Sequence, residues 1–150
     1  MTKLKRILLV EDDPKDVELT LTVLGEHDLV NEITVARDGV EALDYLYRRG
    51  LFVGRAGGEP IVILLDIKLP KLDGIQVLRE LKAAEQLRLI PVVMLTSSRE
   101  SRDLVECYQL GVNAYVVKPM RFADLAQAIQ QISVFWALVN EPPPGSIQKE

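Results

Sequence analysis

Five short runs of apolar residues, rich in Val, Ile and Leu, recur along the chain with little polar alternation. They cover residues 7–10, 33–36, 61–66, 91–96 and 114–117. Strands that are buried on both faces, as in a parallel sheet, have this pattern. The segments between them place apolar residues at helical spacing, as Val17, Leu21 and Leu24 do. Because strand and helix alternate five times, the pattern predicts an α/β domain with helices on both faces of a parallel sheet.

Residues with capping side chains mark where the helices begin. Asp13 directly precedes Pro14 and is the predicted N-cap of the first helix. Further helix starts are predicted at Asp38, at Asp73 and at Ser97, which forms a capping-box pattern with Glu100. A last helix is predicted to follow Pro119 and to run to about Val139.

Composition and charge narrow the function classes. A chain of 150 residues is expected to form one domain, and its net charge of −4 argues against a nucleic-acid surface. The single cysteine, Cys107, allows no internal disulfide and fits a cytoplasmic chain. The apolar run near the N-terminus is too short for a signal peptide, and none approaches the ~18 residues of a membrane span.

The informative polar residues stand where strands end. Glu11 and Asp12 follow the first strand, Asp66 ends the third, Thr96 ends the fourth and Lys118 follows the fifth. In open parallel sheets the ligand crevice lies outside these carboxyl ends. We therefore expect one small site built by four strands.

The charges of this predicted site suggest its chemistry. Glu11, Asp12 and Asp66 contribute −3 and Lys118 contributes +1, so a divalent cation brings the sum to zero. Oxygen donors in an acidic pocket favour magnesium or manganese. A metal site needs neither a lysine nor a threonine, whereas a phosphoryl clamp around a nucleophilic Asp66 would use both, with Thr96 donating a hydrogen bond.

Other catalytic arrangements are not supported. The chain has no G-x-x-x-x-G-K-[ST] loop and no G-x-G-x-x-G after a strand, so nucleotide binding is not indicated. His27 is the single histidine and stands in an early helix away from the acidic cluster at 11–13, which argues against a Ser/His or Cys/His nucleophile pair.

Four segments together resemble the receiver domains of two-component response regulators. They are "ILLVEDDP" (7–14), "ILLDIKLPKLDG" (63–74), "VVMLTSS" (92–98) and "AYVVKP" (114–119). They occur in the order and spacing of that family and cover roughly residues 5–139. The resemblance implies a flavodoxin-like (βα)5 three-layer sandwich with the parallel strand order 2-1-3-4-5, which would bring Glu11 and Asp12 beside Asp66.

The same resemblance implies roles for individual residues. Asp66 would accept phosphate from a histidine kinase, Asp12 would bind the metal directly, Glu11 would bind it through water, and the backbone carbonyl of Lys68 would be a further metal ligand. Tyr115 matches the aromatic switch position, whose ring is expected to turn inward when Thr96 moves toward the phosphoryl group. In relatives the bond that corresponds to Lys118–Pro119 is cis. Lys68 and Ser98 stand where relatives tune dephosphorylation.

The expected function is that of a single-domain response regulator, a phosphoprotein rather than a conventional enzyme. The receiver domain is predicted over residues 1–140, with a proline-rich tail over 141–150 and no output domain. One alternative is a phosphorelay intermediate that passes phosphate to a histidine carrier, and the sequence does not separate the two. A phosphatase of the haloacid-dehalogenase type ranks low because Lys68 stands where a second acid is needed, and a degenerate binding scaffold ranks low because the site is complete.

The last helix carries more apolar residues than one buried face requires. The segment "ISVFWALV" (132–139) is apolar on all sides, which predicts an exposed patch that pairs with a second copy of the chain. We define this apolar patch as Phe135, Trp136, Leu138 and Val139. The long 51–60 loop and the "FWALVNEPPP" ending also resemble the single-domain receivers that partner bacterial phytochrome kinases, in which a C-terminal extension supports homodimers.

Overall fold

The computed structural model describes residues 3–26, 29–145 and 148–149, and His27 lies outside the described residues. Its central sheet has five parallel strands, β1 to β5, in the order 2-1-3-4-5. They are β1 Arg6–Val10, β2 Glu32–Ala36, β3 Val62–Leu65, β4 Val92–Thr96 and β5 Ala114–Val117. The predicted strand order and the predicted α/β class are confirmed.

Helices cover both faces of the sheet because β1, β3 and β4 alternate buried apolar residues between its two sides. Along β1, Ile7 and Leu9 belong to one core and Leu8 and Val10 to the other. The helices are α1 Pro14–Gly25, α2 Gly39–Tyr47, α3 Gly74–Ala83, α4 Ser101–Gln109 and α5 Phe122–Val134. The core of Ile7 and Leu9 is covered by α1 and α5, and the core of Leu8 and Val10 by α2, α3 and α4.

Three of the four predicted helix N-caps are confirmed. The side chains of Asp13, Asp38 and Asp73 accept backbone N–H groups in the first turns of α1, α2 and α3. The fourth prediction is wrong, because α4 begins after Glu100 and no side chain caps it. Instead, the Ser98 hydroxyl donates to Asp103 Oδ2 at 2.7 Å, which ties the loop after β4 to the first turn of α4.

The Asp13 cap allows a test of how the acidic residues after β1 divide their roles. Asp13 is exposed, and its Oδ1 accepts the Lys15 N–H at 2.9 Å. Replacing Asp13 with alanine is expected to lower the free energy of unfolding by about 1 kcal/mol and to leave phosphorylation intact. Urea unfolding measures the loss, and Asp13→Asn, which keeps a capping oxygen, serves as the control. A well-folded Asp13→Ala protein that cannot be phosphorylated would contradict this assignment.

The C-terminal helix is longer than α5 alone. A π-helical turn, Phe135–Val139, continues α5 to the predicted end. The combined helix Phe122–Val139 has 18 residues and is long and apolar enough to cross a membrane by length and composition only. Core helices of soluble proteins meet the same criteria, and Leu125, Ile129 and Ile132 are buried against the sheet. This helix is therefore weak support for a membrane span.

The described part of the tail contacts its own domain. Residues 148–149 pair antiparallel with residues 3–4, and the Gly145 carbonyl accepts the Glu59 N–H at 3.0 Å. The Lys5 ammonium also donates to the Ala137 carbonyl in the π-helical turn. Residues 141–145 therefore lie back toward the N-terminal edge of the sheet.

Candidate functional site

Two buried carboxylates lie side by side because their strands pair in register. Val10 and Leu65 are partners in the ladder between β1 and β3, so Glu11 and Asp66 follow equivalent positions. The ladder continues past the strand ends, since the Asp66 N–H donates to the Val10 carbonyl at 3.1 Å. Both side chains are almost fully removed from solvent. The close approach of these two acids, predicted from the resemblance, is therefore present.

A glycine lets the start of α3 approach this edge of the sheet. A Cβ atom at Gly74 would lie 2.0 Å from the Asp66 carbonyl oxygen. The Gly74 N–H donates to the Ile67 carbonyl at 2.7 Å, which fixes the approach. Any side chain at position 74 would thus push α3 away from the strand end that carries Asp66.

Lys118 carries the positive charge in contact with these acids. Its Nζ donates to Glu11 Oε1, to Asp66 Oδ2 at 2.9 Å and to Asp16 Oδ2 at 2.8 Å. Only 9% of the Lys118 side chain is exposed. A hydrogen bond of 2.7 Å from the Lys118 N–H to the Thr96 carbonyl holds its backbone against β4.

The expectation of a cis peptide bond before Pro119 is wrong. No peptide bond among the described residues is cis. The expectation came from the resemblance alone. In this structure the bond is trans, the Lys118 backbone is held by β4, and the Lys118 ammonium contacts the carboxylates.

Asp16 is the functional-site residue that the sequence analysis missed. It stands in the first turn of α1, where an acidic residue has an ordinary explanation in the helix dipole. The available signal was its position, three residues after the predicted N-cap Asp13 and close to the end of β1. The structure brings it to Lys118, so three carboxylates share one ammonium group.

Thr96 and Tyr115 meet at the loop after β4. Thr96 is fully buried, and its Oγ1 accepts the Ser98 N–H at 3.3 Å. The Tyr115 hydroxyl donates to the Ser98 carbonyl at 3.1 Å, and its half-buried ring packs against the core. Burial raises the pKa of Tyr115 despite this hydrogen bond. Ser98 therefore connects both predicted switch residues and, through its hydroxyl, α4.

Burial and neighbouring opposite charges act in opposite directions on the pKa values of both Glu11 and Lys118. Burial raises the pKa of Glu11 to about 7, and the hydrogen bond from Lys118 opposes that rise only in part. For Lys118, burial alone would lower the pKa. The hydrogen bonds to Asp16 and Glu11 and the charge of Asp66 outweigh that effect and raise it. Lys118 is therefore fully charged at neutral pH, whereas Glu11 carries an unrelieved desolvation cost.

The donor chemistry of the site fits a hard divalent cation. Glu11 and Asp66 are buried carboxylates, Asp12 follows Glu11 in the chain and is exposed, and a cation would offset the cost that raises the Glu11 pKa. Within the described residues, no three acidic, His or Cys side chains are already gathered around one metal position. The carboxylates instead face Lys118, so a bound cation requires some of them to turn away from the ammonium. Lys68, the other predicted contributor, is exposed in the loop after β3.

The apolar patch on the last helix is largely open to solvent. Phe135, Leu138 and Val139 are 46%, 58% and 65% exposed. Trp136 is half-buried and packs on the core shared by α1 and α5, and its ring meets that of Phe135 edge to face. The predicted exposed patch is therefore present for three of its four residues.

The sheet order and the acidic site at its carboxyl edge are typical of a signalling receiver module. Residues 7–130 match the family described as the response regulator receiver domain, and the chain belongs to that family. Receiver domains are signalling proteins rather than conventional enzymes.

Particular relatives refine this assignment. The chain is similar to response regulator Rcp1 of Synechocystis sp., with 40% identity over 132 residues that cover 88% of each chain. The Mn(2+)-bound form of Rcp1 has a TM-score of 0.88 to this structure at 39% identity, covering 93% of this chain and 99% of that one.

Two further solved structures come from phytochrome systems. The bacteriophytochrome response regulator RtBRR is 59% identical with a TM-score of 0.74, covering 95% of this chain and 86% of that one. The phosphorylated cyanobacterial phytochrome response regulator RcpA is 37% identical with a TM-score of 0.88, covering 93% and 99%. The resemblance to phytochrome-associated receivers is confirmed.

Proposed function

We propose that this chain accepts a phosphoryl group on Asp66 from a partner sensor histidine kinase, in a magnesium-dependent reaction, and that phosphorylation changes an interaction surface. The observation that carries the proposal is the buried Asp66 carboxylate, whose Oδ2 lies 2.9 Å from Lys118 Nζ and whose Oδ1 accepts the Ile67 N–H at 2.7 Å. The two contacts fix the orientation of a nucleophilic carboxylate at the carboxyl edge of a parallel sheet.

The transfer itself needs positioned charge more than acid–base chemistry. An Asp66 oxygen attacks the phosphorus of a phosphohistidine, a P–O bond forms, and the P–N bond breaks with its electron pair going to the imidazole. Lys118 donates to one phosphoryl oxygen and the Thr96 hydroxyl to another. Asp12, Asp66 and the Lys68 carbonyl, with Glu11 through water, would hold a divalent cation, which neutralises the crowded oxygens when bound.

The loop after β4 would carry the signal outward. As Thr96 turns toward the phosphoryl group, its hydroxyl leaves the Ser98 N–H, and the contact of Tyr115 with the Ser98 carbonyl follows the loop. The Ser98–Asp103 hydrogen bond passes this movement to α4. On the basis of these contacts, we propose that Thr96 and Tyr115 act together as the switch residues.

Intact mass spectrometry tests the proposed function. After incubation with acetyl phosphate and magnesium, the parent protein is expected to gain one phosphate, and Asp66→Asn none. Chelating the magnesium should prevent the gain in the parent. A parent protein that gains no phosphate from acetyl phosphate or from a histidine kinase would refute the proposal.

We further propose a phytochrome-type histidine kinase as the donor and the cytoplasm as the place of action. RtBRR and RcpA, which are phytochrome response regulators by name, support this choice of donor. We propose that the output is protein contact rather than nucleic-acid binding, consistent with the net charge of −4.

We propose that the apolar patch pairs two copies of the chain into a homodimer. Sedimentation at micromolar concentration is expected to show a dimer for the parent and a monomer for Phe135→Ala combined with Leu138→Ala. These two side chains are chosen because the half-buried Trp136 also supports the core. Leu51→Ala combined with Val53→Ala removes exposed apolar side chains elsewhere and should leave the dimer intact. Identical profiles for the parent and the patch variant would rule out this interface.

A further inference from the structure

The ammonium group of Lys118 is fully engaged in this structure. A lysine ammonium has three N–H donors. Here Glu11, Asp16 and Asp66 each accept from it. No donor is left over, so Lys118 can reach a phosphoryl oxygen only by releasing one of these carboxylates.

Two of the three carboxylates have another role in the proposed function. Glu11 and Asp66 are needed at the cation and at the phosphoryl group, where their oxygens cannot also serve Lys118. Asp16 has no part in that set. It is therefore the carboxylate that can stay on Lys118 when the other two turn away.

The fold holds Asp16 firmly enough for this task. Asp16 lies in the first turn of α1, whose N-terminus is capped by Asp13. The Thr20 hydroxyl donates to the Asp16 carbonyl at 2.7 Å, and Thr20 is itself buried. The Asp16 side chain is 22% exposed, so its contact with Lys118 is partly shielded from water.

We propose that Asp16 is a positioning residue that keeps Lys118 from competing with the divalent cation for Glu11 and Asp66. The inference rests on the proposed function, since it concerns the same site. By retaining one N–H of the ammonium, Asp16 leaves another free to donate to a phosphoryl oxygen. Without Asp16, the ammonium settles on the two carboxylates that the cation needs.

The variant Asp16→Asn is expected to weaken magnesium binding by the unphosphorylated protein about fivefold, measured by titration calorimetry. In phosphorylation by acetyl phosphate, the magnesium concentration for half the maximal rate should rise, while the rate at saturating magnesium changes little. Asp16→Glu, which keeps the charge, should recover most of the affinity. Glu18→Gln removes a charge from the same helix at an exposed position and should stay close to the parent.

A double-mutant cycle separates positioning from simple loss of charge. The effect of Asp16→Asn on magnesium affinity is measured in the parent and in Lys118→Met. Lys118→Met has no ammonium for Asp16 to hold. In that background, Asp16→Asn should therefore weaken magnesium binding no more than Glu18→Gln does in the parent. If Asp16→Asn weakened magnesium binding equally in both backgrounds, the proposal would be overturned. The same holds if Glu18→Gln weakened magnesium binding as much as Asp16→Asn does.

The cycle also distinguishes this proposal from the proposed function. A parent protein that binds magnesium but takes no phosphate would refute phosphorylation at Asp66 and leave the cycle interpretable. A parent protein that does not bind magnesium would overturn the positioning role. In magnesium-free protein, urea unfolding of the four proteins of the cycle (the parent, the two single variants and the double variant) should give non-additive losses for Asp16→Asn and Lys118→Met, and additive losses would contradict the contact itself.

Discussion

Replacing Lys118 with methionine is expected to lower the free energy of unfolding of the magnesium-free protein by about 3 kcal/mol at about pH 8. Methionine keeps an apolar stem of similar length but leaves Glu11, Asp16 and Asp66 without their shared partner. Lys118→Arg, which keeps the charge, should lose much less. Both variants should be impaired in phosphorylation, since neither presents the same ammonium to a phosphoryl oxygen. Equal stability of parent and methionine variant would contradict the central role given to Lys118.

The pH dependence of this loss follows from Glu11. Its pKa rises from 4.5 to about 7 on folding because of burial. The folded state therefore binds more protons than the unfolded state within that window, and the contribution of Glu11 to stability falls as pH rises through it. The pKa of Lys118 is also raised, but because the charged form of lysine is the protonated one, its contribution to stability is complete below its ordinary pKa and is lost only at strongly alkaline pH. In Lys118→Met the penalty should shrink as the solution is acidified and Glu11 takes up its proton. Urea unfolding across this pH range measures both effects, and a pH-independent loss would count against the assignment to Glu11.

Replacing Asp12 with alanine is expected to weaken magnesium binding by at least about tenfold and to abolish magnesium-dependent phosphorylation. Asp12 is exposed, so its removal should leave the free energy of unfolding of the metal-free protein nearly unchanged. Titration calorimetry and intact mass spectrometry measure the two losses, and Asp13→Ala is the matched control one residue away. A protein with Asp12→Ala that still takes up phosphate at ordinary magnesium concentrations would show that Asp12 is not a metal ligand.

The sequence was sufficient to predict the members of the site that stand at strand ends. Glu11, Asp66, Thr96 and Lys118 could be placed together because the carboxyl ends of parallel strands meet at one edge of a sheet. Asp16 could not be found in this way, because it belongs to a helix and an acid in the first turn is explained by the helix dipole alone. Its role depends on where the Lys118 ammonium lies, and that position is set by tertiary packing.

Two local predictions failed. The Ser97–Glu100 capping box matched its pattern, yet Ser98 donates its hydroxyl to Asp103 and α4 begins after Glu100. The cis bond before Pro119 was carried over from relatives, and the bond is trans here. At the start of α4, short-range sequence does not determine which of several polar groups the loop engages.

The last helix was predicted more completely. Its apolar residues on all sides indicated both a buried face and an exposed patch, and Phe135, Leu138 and Val139 are indeed exposed. The sequence did not show that Trp136 divides its surface between the core and the patch. Nor did it show that residues 141–145 turn back toward the Glu59 loop.

The most direct test of phosphorylation at Asp66 is chemical trapping of the acyl phosphate. Protein incubated with acetyl phosphate and magnesium is treated with borohydride, which reduces a phosphorylated aspartate to homoserine, and its peptides are sequenced by mass spectrometry. We predict homoserine at position 66, absent when magnesium is chelated and absent in Asp66→Asn. Homoserine at another aspartate, or a phosphate that resists borohydride because it is carried by a hydroxyl group, would contradict the account.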